Sequence, residues 1–185
     1  MKSNLIYQPA EDSYLLQKAI SNYLKKKKIN KFLDMGSGTG ILARTAIING
    51  IKKENIFLID INKEAIKQLK EKFPKSEVIK SDLFSEIKDK IRFDLIVINP
   101  PYLPEDKRED KESGIATTGG KKGSEIINRF LKQAKNYLNK NGRILLLTSS
   151  LTKGIEWNGW KKKIINKEKL FFEELVVWEV RGVRV

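Results

Sequence analysis

Short apolar runs alternate with segments of helical periodicity, and this alternation constrains the fold more than any other feature of the chain. The runs predicted as strands cover residues 31–35, 55–60, 77–80, 93–99 and 143–148. The predicted helices cover residues 10–25, 41–48, 63–73 and 124–139. Because strands that alternate with helices form a parallel sheet covered on both faces, we predict an α/β fold. Two further predicted strands, 160–166 and 171–180 with a turn near 167–169, form a terminal hairpin that adds an antiparallel strand to the sheet.

The chain has 185 residues and contains neither His nor Cys. This length favours one domain, which we expect to span residues 1–185. The two missing residue types exclude disulfides, zinc sites built on Cys or His, Cys nucleophiles and Ser-His-Asp catalysis. No metal site is therefore predicted. Since no apolar run approaches the ~20 residues that a bilayer helix needs, and the N-terminus lacks the pattern of a secretory signal, we expect a cytoplasmic protein without a membrane partner.

The formal net charge is +14, from 37 Lys and Arg residues against 23 Asp and Glu residues. Two interpretations of this excess stay open at this point. It suggests an anionic partner such as nucleic acid, but it is equally typical of a well-solvated surface.

A glycine-rich turn follows the first predicted strand, with the sequence DMGSGTG at residues 34–40. Glycines allow a tight turn and a close approach of a ligand to the backbone. The carboxylate of Asp34 would repel a pyrophosphate and attract an ammonium group, so the motif favours an amine-bearing cofactor such as S-adenosylmethionine over NAD. Asp60 ends the second predicted strand, where a carboxylate can accept hydrogen bonds from both ribose hydroxyls of a nucleoside.

Two more motifs follow later strands. In Ser81-Asp82-Leu83-Phe84, Asp82 can accept from an adenine amine and the Leu83 backbone can contact the ring; a plain helix cap is the competing interpretation. Asn99-Pro100-Pro101-Tyr102 ends a buried strand. The two prolines lack N–H donors, so the Asn99 side-chain oxygen and the backbone carbonyls remain as acceptors. This arrangement suits a planar NH2 group whose two hydrogens are accepted while its nitrogen faces an electrophile.

Together these motifs resemble class I S-adenosylmethionine-dependent methyltransferases that methylate amino groups. The N-terminal segment 7–16, YQPAEDSYLL, further resembles a signature of the archaeal and eukaryotic HemK-like proteins, which modify glutamine in class 1 translation release factors. Residues 114–123 also resemble the glycine-rich loop of that family. The resemblance covers residues 7–148 and extends more loosely to residue 180.

The resemblance implies a Rossmann-like class I methyltransferase fold, with a mostly parallel seven-stranded sheet. It implies that the N-terminal segment 1–30 contributes to the cofactor pocket and that the reaction transfers a methyl group to the glutamine amide of a Gly-Gly-Gln motif. The residues expected to bind S-adenosylmethionine are Ser13, Asp34, Gly36, Gly38, Gly40, Asp60, Ile61, Asp82, Leu83 and Asn99. The residues expected to be catalytic are Asn99, Pro100, Pro101 and Tyr102.

Two departures from the family and one alternative function stay open. Bacterial relatives bind the release factor through an N-terminal helical domain, but here only about 30 residues precede the glycine-rich turn. We therefore expect other parts of the molecule to bind the release factor. A small zinc-binding activating subunit is an expected partner. Residues 149–159 are too few for the helix that the family usually has there, so Trp157 and Trp160 are expected to cover the sheet or to mark a contact surface. The alternative function is methylation of an adenine or guanine amino group in nucleic acid, with Tyr102 stacking on the base.

Overall fold

The structure is a computed structural model that describes residues 6–105 and 118–183. Its α-helices are α1 (Glu11–Leu24), α2 (Ile41–Ile48), α3 (Lys63–Lys72) and α4 (Glu125–Ala134). Its strands are β1 (Phe32–Met35), β2 (Ile56–Asp60), β3 (Glu77–Lys80), β4 (Phe93–Ile98), β5 (Leu138–Ser149), β6 (Trp160–Lys169) and β7 (Glu174–Gly182). Of the segment 114–123, which resembles a family glycine-rich loop, residues 114–117 lie outside the described residues.

The seven strands form one sheet in the order β3-β2-β1-β4-β5-β7-β6. All neighbouring pairs from β3 to β5 are parallel, whereas β7 runs antiparallel to both β5 and β6. The predicted α/β fold, with its mostly parallel sheet and its antiparallel C-terminal hairpin strand, is confirmed. The chain order reverses between β1 and β4, and in open α/β sheets ligands bind outside the carboxyl ends of the strands at such a point.

Hydrophobic cores lie on both faces of the sheet, as a parallel sheet requires. Helices α1, α2 and α3 pack on one face, where the α1 residues Leu16 and Ile20 are fully buried. Helix α4 packs on the other face through Ile127 and Phe130, beside the segment that contains Phe84. The loop 149–159 adds no helix to this second face. Trp157 instead packs against Trp178 and the second core, and the side chain of Trp160 is buried there. The tryptophans therefore cover the sheet.

Two predicted boundaries are wrong. Helix α4 ends at Ala134 rather than at residue 139, because a 3-10 turn (Lys135–Tyr137) leads directly into a β5 that begins five residues earlier than predicted. The early part of β5 escaped prediction because it is irregular: the pairing with β4 jumps from Phe93↔Leu138 to Leu95↔Arg143.

The turn of the terminal hairpin is also displaced from the predicted position at 167–169. Strand β6 continues to Lys169, which pairs with Glu174, and the Leu170 N–H donates to the Glu173 carbonyl at 2.8 Å. The turn therefore comprises residues 170–173. In the described part of the chain, no helix is both long and apolar enough to cross a bilayer.

Candidate active site

A cavity of about 360 Å³ lies at the carboxyl ends of β1 and β4, where the chain order reverses. Its walls come from the N-terminal segment with the start of α1, the glycine-rich turn after β1, and the segments that follow β2, β3 and β4. Helix α1 lines the cavity because it runs antiparallel to the parallel strands and begins at their carboxyl ends. The sequence-predicted site residues that line the cavity are Ser13, Gly36, Gly38, Asp60, Ile61, Asp82, Leu83, Asn99, Pro100, Pro101 and Tyr102.

The glycine-rich turn is attached to the end of β2 by backbone hydrogen bonds. The N–H groups of Gly36 and Ser37 donate to the Ile59 carbonyl at 2.8 and 2.9 Å, and the Gly38 N–H donates to the Asp60 carboxylate at 2.8 Å. The other carboxylate oxygen of Asp60 accepts from the Asn62 N–H at 2.8 Å. Burial nevertheless raises the pKa of Asp60. Each of its oxygens keeps lone-pair capacity for a hydroxyl donor in the cavity.

Asp34 and Gly40 do not line the cavity. The Asp34 carboxyl is fully buried below the turn, where one oxygen accepts from the Ala43 N–H of α2 at 3.0 Å. Its Oδ1 has no partner among the described residues, and burial raises its pKa to about 7. The prediction that Asp34 itself faces an ammonium group is therefore not supported by its position.

Gly40 is needed for packing rather than for ligand contact. Its φ is +81°, and a Cβ placed on it would lie 2.4 Å from the Phe73 ring and 2.8 Å from the Leu69 side chain. The glycine therefore lets the start of α2 approach α3 closely.

The segment after β3 forms a constrained turn. Leu83 has φ of 52°, which is unusual for a residue other than glycine. The Ser81 hydroxyl holds this conformation by donating to the Leu83 carbonyl at 2.8 Å and accepting from the Glu86 N–H at 3.1 Å. Backbone strain of this kind concentrates at ligand sites. Asp82 pairs with Arg129 of α4 at 2.7 Å, so one of its oxygens already has a cationic partner.

Asp12, at the start of α1, organises the cavity end of β4. It is 3% exposed, and its Oδ2 accepts from the Asn99 amide nitrogen at 2.9 Å, the Tyr7 hydroxyl at 2.9 Å and the Tyr102 hydroxyl at 3.3 Å. Its Oδ1 accepts from the Ser13 N–H and from the Ser13 hydroxyl. Because a carboxylate only accepts hydrogen bonds, the Asn99 amide must turn its NH2 group toward Asp12. The Asn99 Oδ1 consequently faces away, buried and with no partner in the described part of the chain.

The two tyrosines around Asp12 remain protonated donors. Burial and the Asp12 carboxylate raise the pKa of Tyr102 and of Tyr7 far above the usual range for tyrosine. Neither hydroxyl is therefore suited to act as a general base at neutral pH.

The backbone after Asn99 is held by a glycine-containing loop. The Tyr102 carbonyl accepts from the Thr152 hydroxyl at 2.8 Å, and a Cβ on Gly119 would lie 2.4 Å from the Pro101 carbonyl oxygen. A Cβ on Gly123 would lie 2.3 Å from the Tyr102 carbonyl oxygen. The carbonyls of Pro101 and Tyr102 thus face packed protein.

Sequence reasoning missed three residues of this site: Asp12, Tyr7 and Arg129. The first two belong to the N-terminal segment that resembles a family signature, so their position in that segment was the available signal. Arg129 lies on the face of α4 with no distinguishing pattern around it, and only the fold brings it to Asp82.

Comparison with known proteins is consistent with this geometry. The methyltransferase small domain family matches residues 13–156. A Methanocaldococcus jannaschii protein named "Putative protein N5-glutamine methyltransferase" is 40% identical over 184 residues, which cover 93% of this chain and 89% of that protein. A release factor glutamine methyltransferase of Clostridium botulinum is 33% identical over 150 residues. That match covers 74% of this chain and 53% of the bacterial protein, so the chain spans about half the length of this bacterial relative.

Solved structures share the fold. The crystal structure of a ribosomal protein L11 methylase from Lactobacillus delbrueckii superposes with a TM-score of 0.63 at 19% identity, over 97% of this chain and 82% of that one.

Proposed function

We propose that this chain, which belongs to the methyltransferase small domain family, transfers a methyl group from S-adenosylmethionine to the side-chain amide nitrogen of a glutamine. We propose the Gly-Gly-Gln glutamine of a class 1 translation release factor as the substrate, in line with the names of the archaeal and bacterial relatives. The observation that carries the proposal is the buried Oδ1 of Asn99 at the cavity, which has no hydrogen-bond partner among residues 6–105 and 118–183.

The cavity residues fit S-adenosylmethionine. A volume of about 360 Å³ lies in the range of small-molecule sites, and the lining combines apolar walls with a few polar groups. Asp60 would hold the ribose hydroxyls, and Asp82 with the strained turn at Leu83 would hold the adenine. The turn at Gly36 and Gly38, with Ser13, would hold the methionine part. When bound, S-adenosylmethionine supplies an electrophilic methyl group on a sulfonium.

The segment after β4 would hold the glutamine amide. Asn99 Oδ1 accepts one amide hydrogen, and the Pro100 carbonyl is proposed as the second acceptor because the next two carbonyls face packed protein. Tyr102 closes the cavity beside the amide. Two acceptors fix the plane of the amide, so its nitrogen faces the methyl donor while water is excluded. An amide nitrogen is a poor nucleophile, so positioning and desolvation must supply much of the rate.

The reaction balances without a basic side chain. A nitrogen–carbon bond forms, the sulfur–carbon bond to the methyl group breaks, and the nitrogen releases one proton to solvent after the transfer. Tyr7 and Tyr102 are held as neutral donors by Asp12, so neither hydroxyl is available as a general base, and both oxygens of Asp12 already accept hydrogen bonds from protein donors.

The test compares Asn99→Ala with Asn55→Ala, whose amide lies exposed just before β2, at the end of the strand opposite to the cavity. A release factor is incubated with enzyme and S-adenosylmethionine, and its Gly-Gly-Gln peptide is analysed by mass spectrometry for the addition of one methyl group. We expect Asn99→Ala to lose about 100-fold or more in rate while calorimetry shows that the cofactor still binds. Methylation by Asn99→Ala at rates near those of Asn55→Ala would disprove the role of Asn99.

The position of the surface cations favours the glutamine substrate over the alternative nucleic-acid substrate. Lysines that are distant in sequence meet at the amino ends of the parallel strands. They line an open cleft of about 910 Å³ between the end of α1 and strands β5 to β7. The cations of this cleft are Lys27, Lys28, Arg143, Lys161, Lys162, Lys163 and Arg181. Because the cleft lies at the amino ends of the parallel strands, it does not position a base at Asn99.

A small activating subunit remains part of the proposal. Strand β3 (Glu77–Lys80) is an edge of the sheet, paired with β2 on one side. Such an edge offers backbone groups to an added strand. Measuring the methylation rate with and without a candidate subunit tests this point: a rate that is unchanged by the subunit would remove it from the proposal.

A further inference from the structure

Two adjacent aromatic side chains stand exposed at the turn between β6 and β7. Phe171 is 92% exposed and Phe172 is 84% exposed. Their rings contact each other edge-to-face, with centroids 4.7 Å apart and planes at 84°. Single exposed apolar residues are common on proteins, but two large rings that touch each other and little else form a preformed apolar surface.

The aromatic pair and the cavity both lie at the carboxyl ends of the parallel strands. Strand β7 is antiparallel to both β5 and β6, so β6 is parallel to β5 and to β4. The turn that follows β6 therefore projects from the carboxyl ends of the strands, as does the segment that follows β4.

The residues on either side of the pair connect it to the candidate active site. Leu170 packs against the core cluster that Tyr102 also contacts. The Glu173 carboxylate lies within electrostatic reach of Tyr7 and Tyr102 and contributes to raising the pKa of both. The turn is also tied to the segment that supports Tyr102, since the Ser150 N–H donates to the Glu174 carbonyl at 2.9 Å. The residues that flank the aromatic pair thus connect the turn to the part of the fold that contains Tyr102.

We propose that Phe171 and Phe172 form a docking site for the protein substrate, and this rests on the proposed function. In the proposed reaction only the glutamine side chain of the substrate enters the cavity, whereas an enzyme that acts on a folded polypeptide gains much of its binding energy from parts of the substrate remote from the reacting atom. Aromatic side chains, Phe included, are enriched in the buried core of protein interfaces. The partner surface that fits this pair is an apolar patch on the substrate, close to its glutamine-bearing loop.

The experiment uses the double variant Phe171→Ala/Phe172→Ala and two substrates: an intact release factor and a short peptide that carries only its Gly-Gly-Gln loop. Ile48→Ala is the matched control, because Ile48 is 76% exposed and ends α2 at the opposite edge of the sheet. For the double variant we expect KM for the intact protein to rise about tenfold or more, with kcat changed less than about twofold. Its kinetics on the peptide, its thermal unfolding midpoint and all properties of Ile48→Ala should match the wild type.

Three outcomes overturn the proposal. An unchanged KM for the intact protein excludes docking at the pair, and an equal loss on the peptide shows that the pair acts on the cavity instead. Concentration-dependent self-association of the wild type that the double variant lacks, measured by sedimentation, assigns the surface to a second copy of the chain. If the wild type methylates neither substrate, the proposed function itself fails, whereas methylation of the peptide by all variants upholds that function regardless of the docking result.

Discussion

Replacing Asp12 with Asn tests whether this carboxylate orients Asn99. The substitution preserves the volume of the side chain but leaves one acceptor oxygen in place of two. In the structure, Oδ2 faces three donors, from Tyr7, Asn99 and Tyr102, while Oδ1 faces the donors of Ser13. Either orientation of the new amide therefore points an NH2 group at other donors.

The expected effect on the rate follows from the loss of one oriented acceptor. Hydrogen bonds to a charged group contribute about 1.5–3 kcal/mol each. Without the carboxylate, the Asn99 amide can turn over and present its NH2 group to the substrate nitrogen. Removing one preorganised hydrogen-bonding group from a catalytic site typically costs about 2.7–4 kcal/mol in the transition state, which is about 100- to 1,000-fold in kcat. The unfolding free energy should fall by about 1–3 kcal/mol, because a buried polar cluster is left mismatched.

The assay measures incorporation of labelled methyl groups into a release factor at saturating cofactor, together with calorimetric binding of S-adenosylmethionine. Glu11→Gln is the matched control, since it removes the same charge from the neighbouring, exposed residue of α1. We expect Glu11→Gln to keep kcat within about twofold of the wild type. The reasoning is refuted if Asp12→Asn keeps kcat within about threefold, or if both variants lose activity equally.

Two further predictions concern stability. The pKa of Asp34 is about 7 in the folded protein against an ordinary value of 3.8, so between these pH values the folded protein holds a proton that the unfolded chain has released. The free energy of unfolding should therefore fall by roughly 1.4 kcal/mol per pH unit from about pH 4 to pH 7. Urea titrations should show a smaller slope in Asp34→Asn, where the contribution of Asp60 remains, and the full slope in Asp94→Asn, whose pKa is instead lowered; an unchanged slope in Asp34→Asn would count against the buried carboxyl. Gly40→Ala should lower the unfolding free energy by about 2–4 kcal/mol through contact with Phe73 and a left-handed φ, whereas Gly50→Ala, with φ of +96° and open space, should cost only about 1 kcal/mol. Equal urea midpoints for the two glycine variants would contradict the packing argument.

The sequence could predict that most site residues lie close together around one cavity, because each of their motifs stands at the end of a strand. Asp60 ends β2, and Asp82 and Asn99 follow β3 and β4; the carboxyl ends of parallel strands lie at one end of the sheet. The role of Asp12 could not be predicted in this way. It contacts Asn99 across 87 positions of sequence, and this contact depends on how α1 crosses the sheet rather than on any local pattern.

The same limit applies to the terminal hairpin. Phe171 and Phe172 have high strand propensity, so the sequence predicts them inside a strand. The lysine-rich segment before them has no apolar alternation, yet it extends β6 to Lys169 by pairing with β7 as an edge strand. The register of a hairpin depends on both strands together. In the structure the two rings therefore lie in the exposed turn and not in the strand predicted for them.

Net charge is the sequence feature whose meaning changes most once the fold is known. The chain carries +14, yet the described residues that line the cavity include three carboxylates, those of Asp12, Asp60 and Asp82, against one guanidinium, that of Arg129. The open cleft at the other edge of the sheet has the opposite balance, with seven cations against Asp94 and Glu179. Binding responds to the local field and not to the sum over the surface. A cationic sulfonium cofactor is therefore compatible with a strongly basic chain, because this fold places the carboxylates and the lysine runs at opposite ends of the same strands.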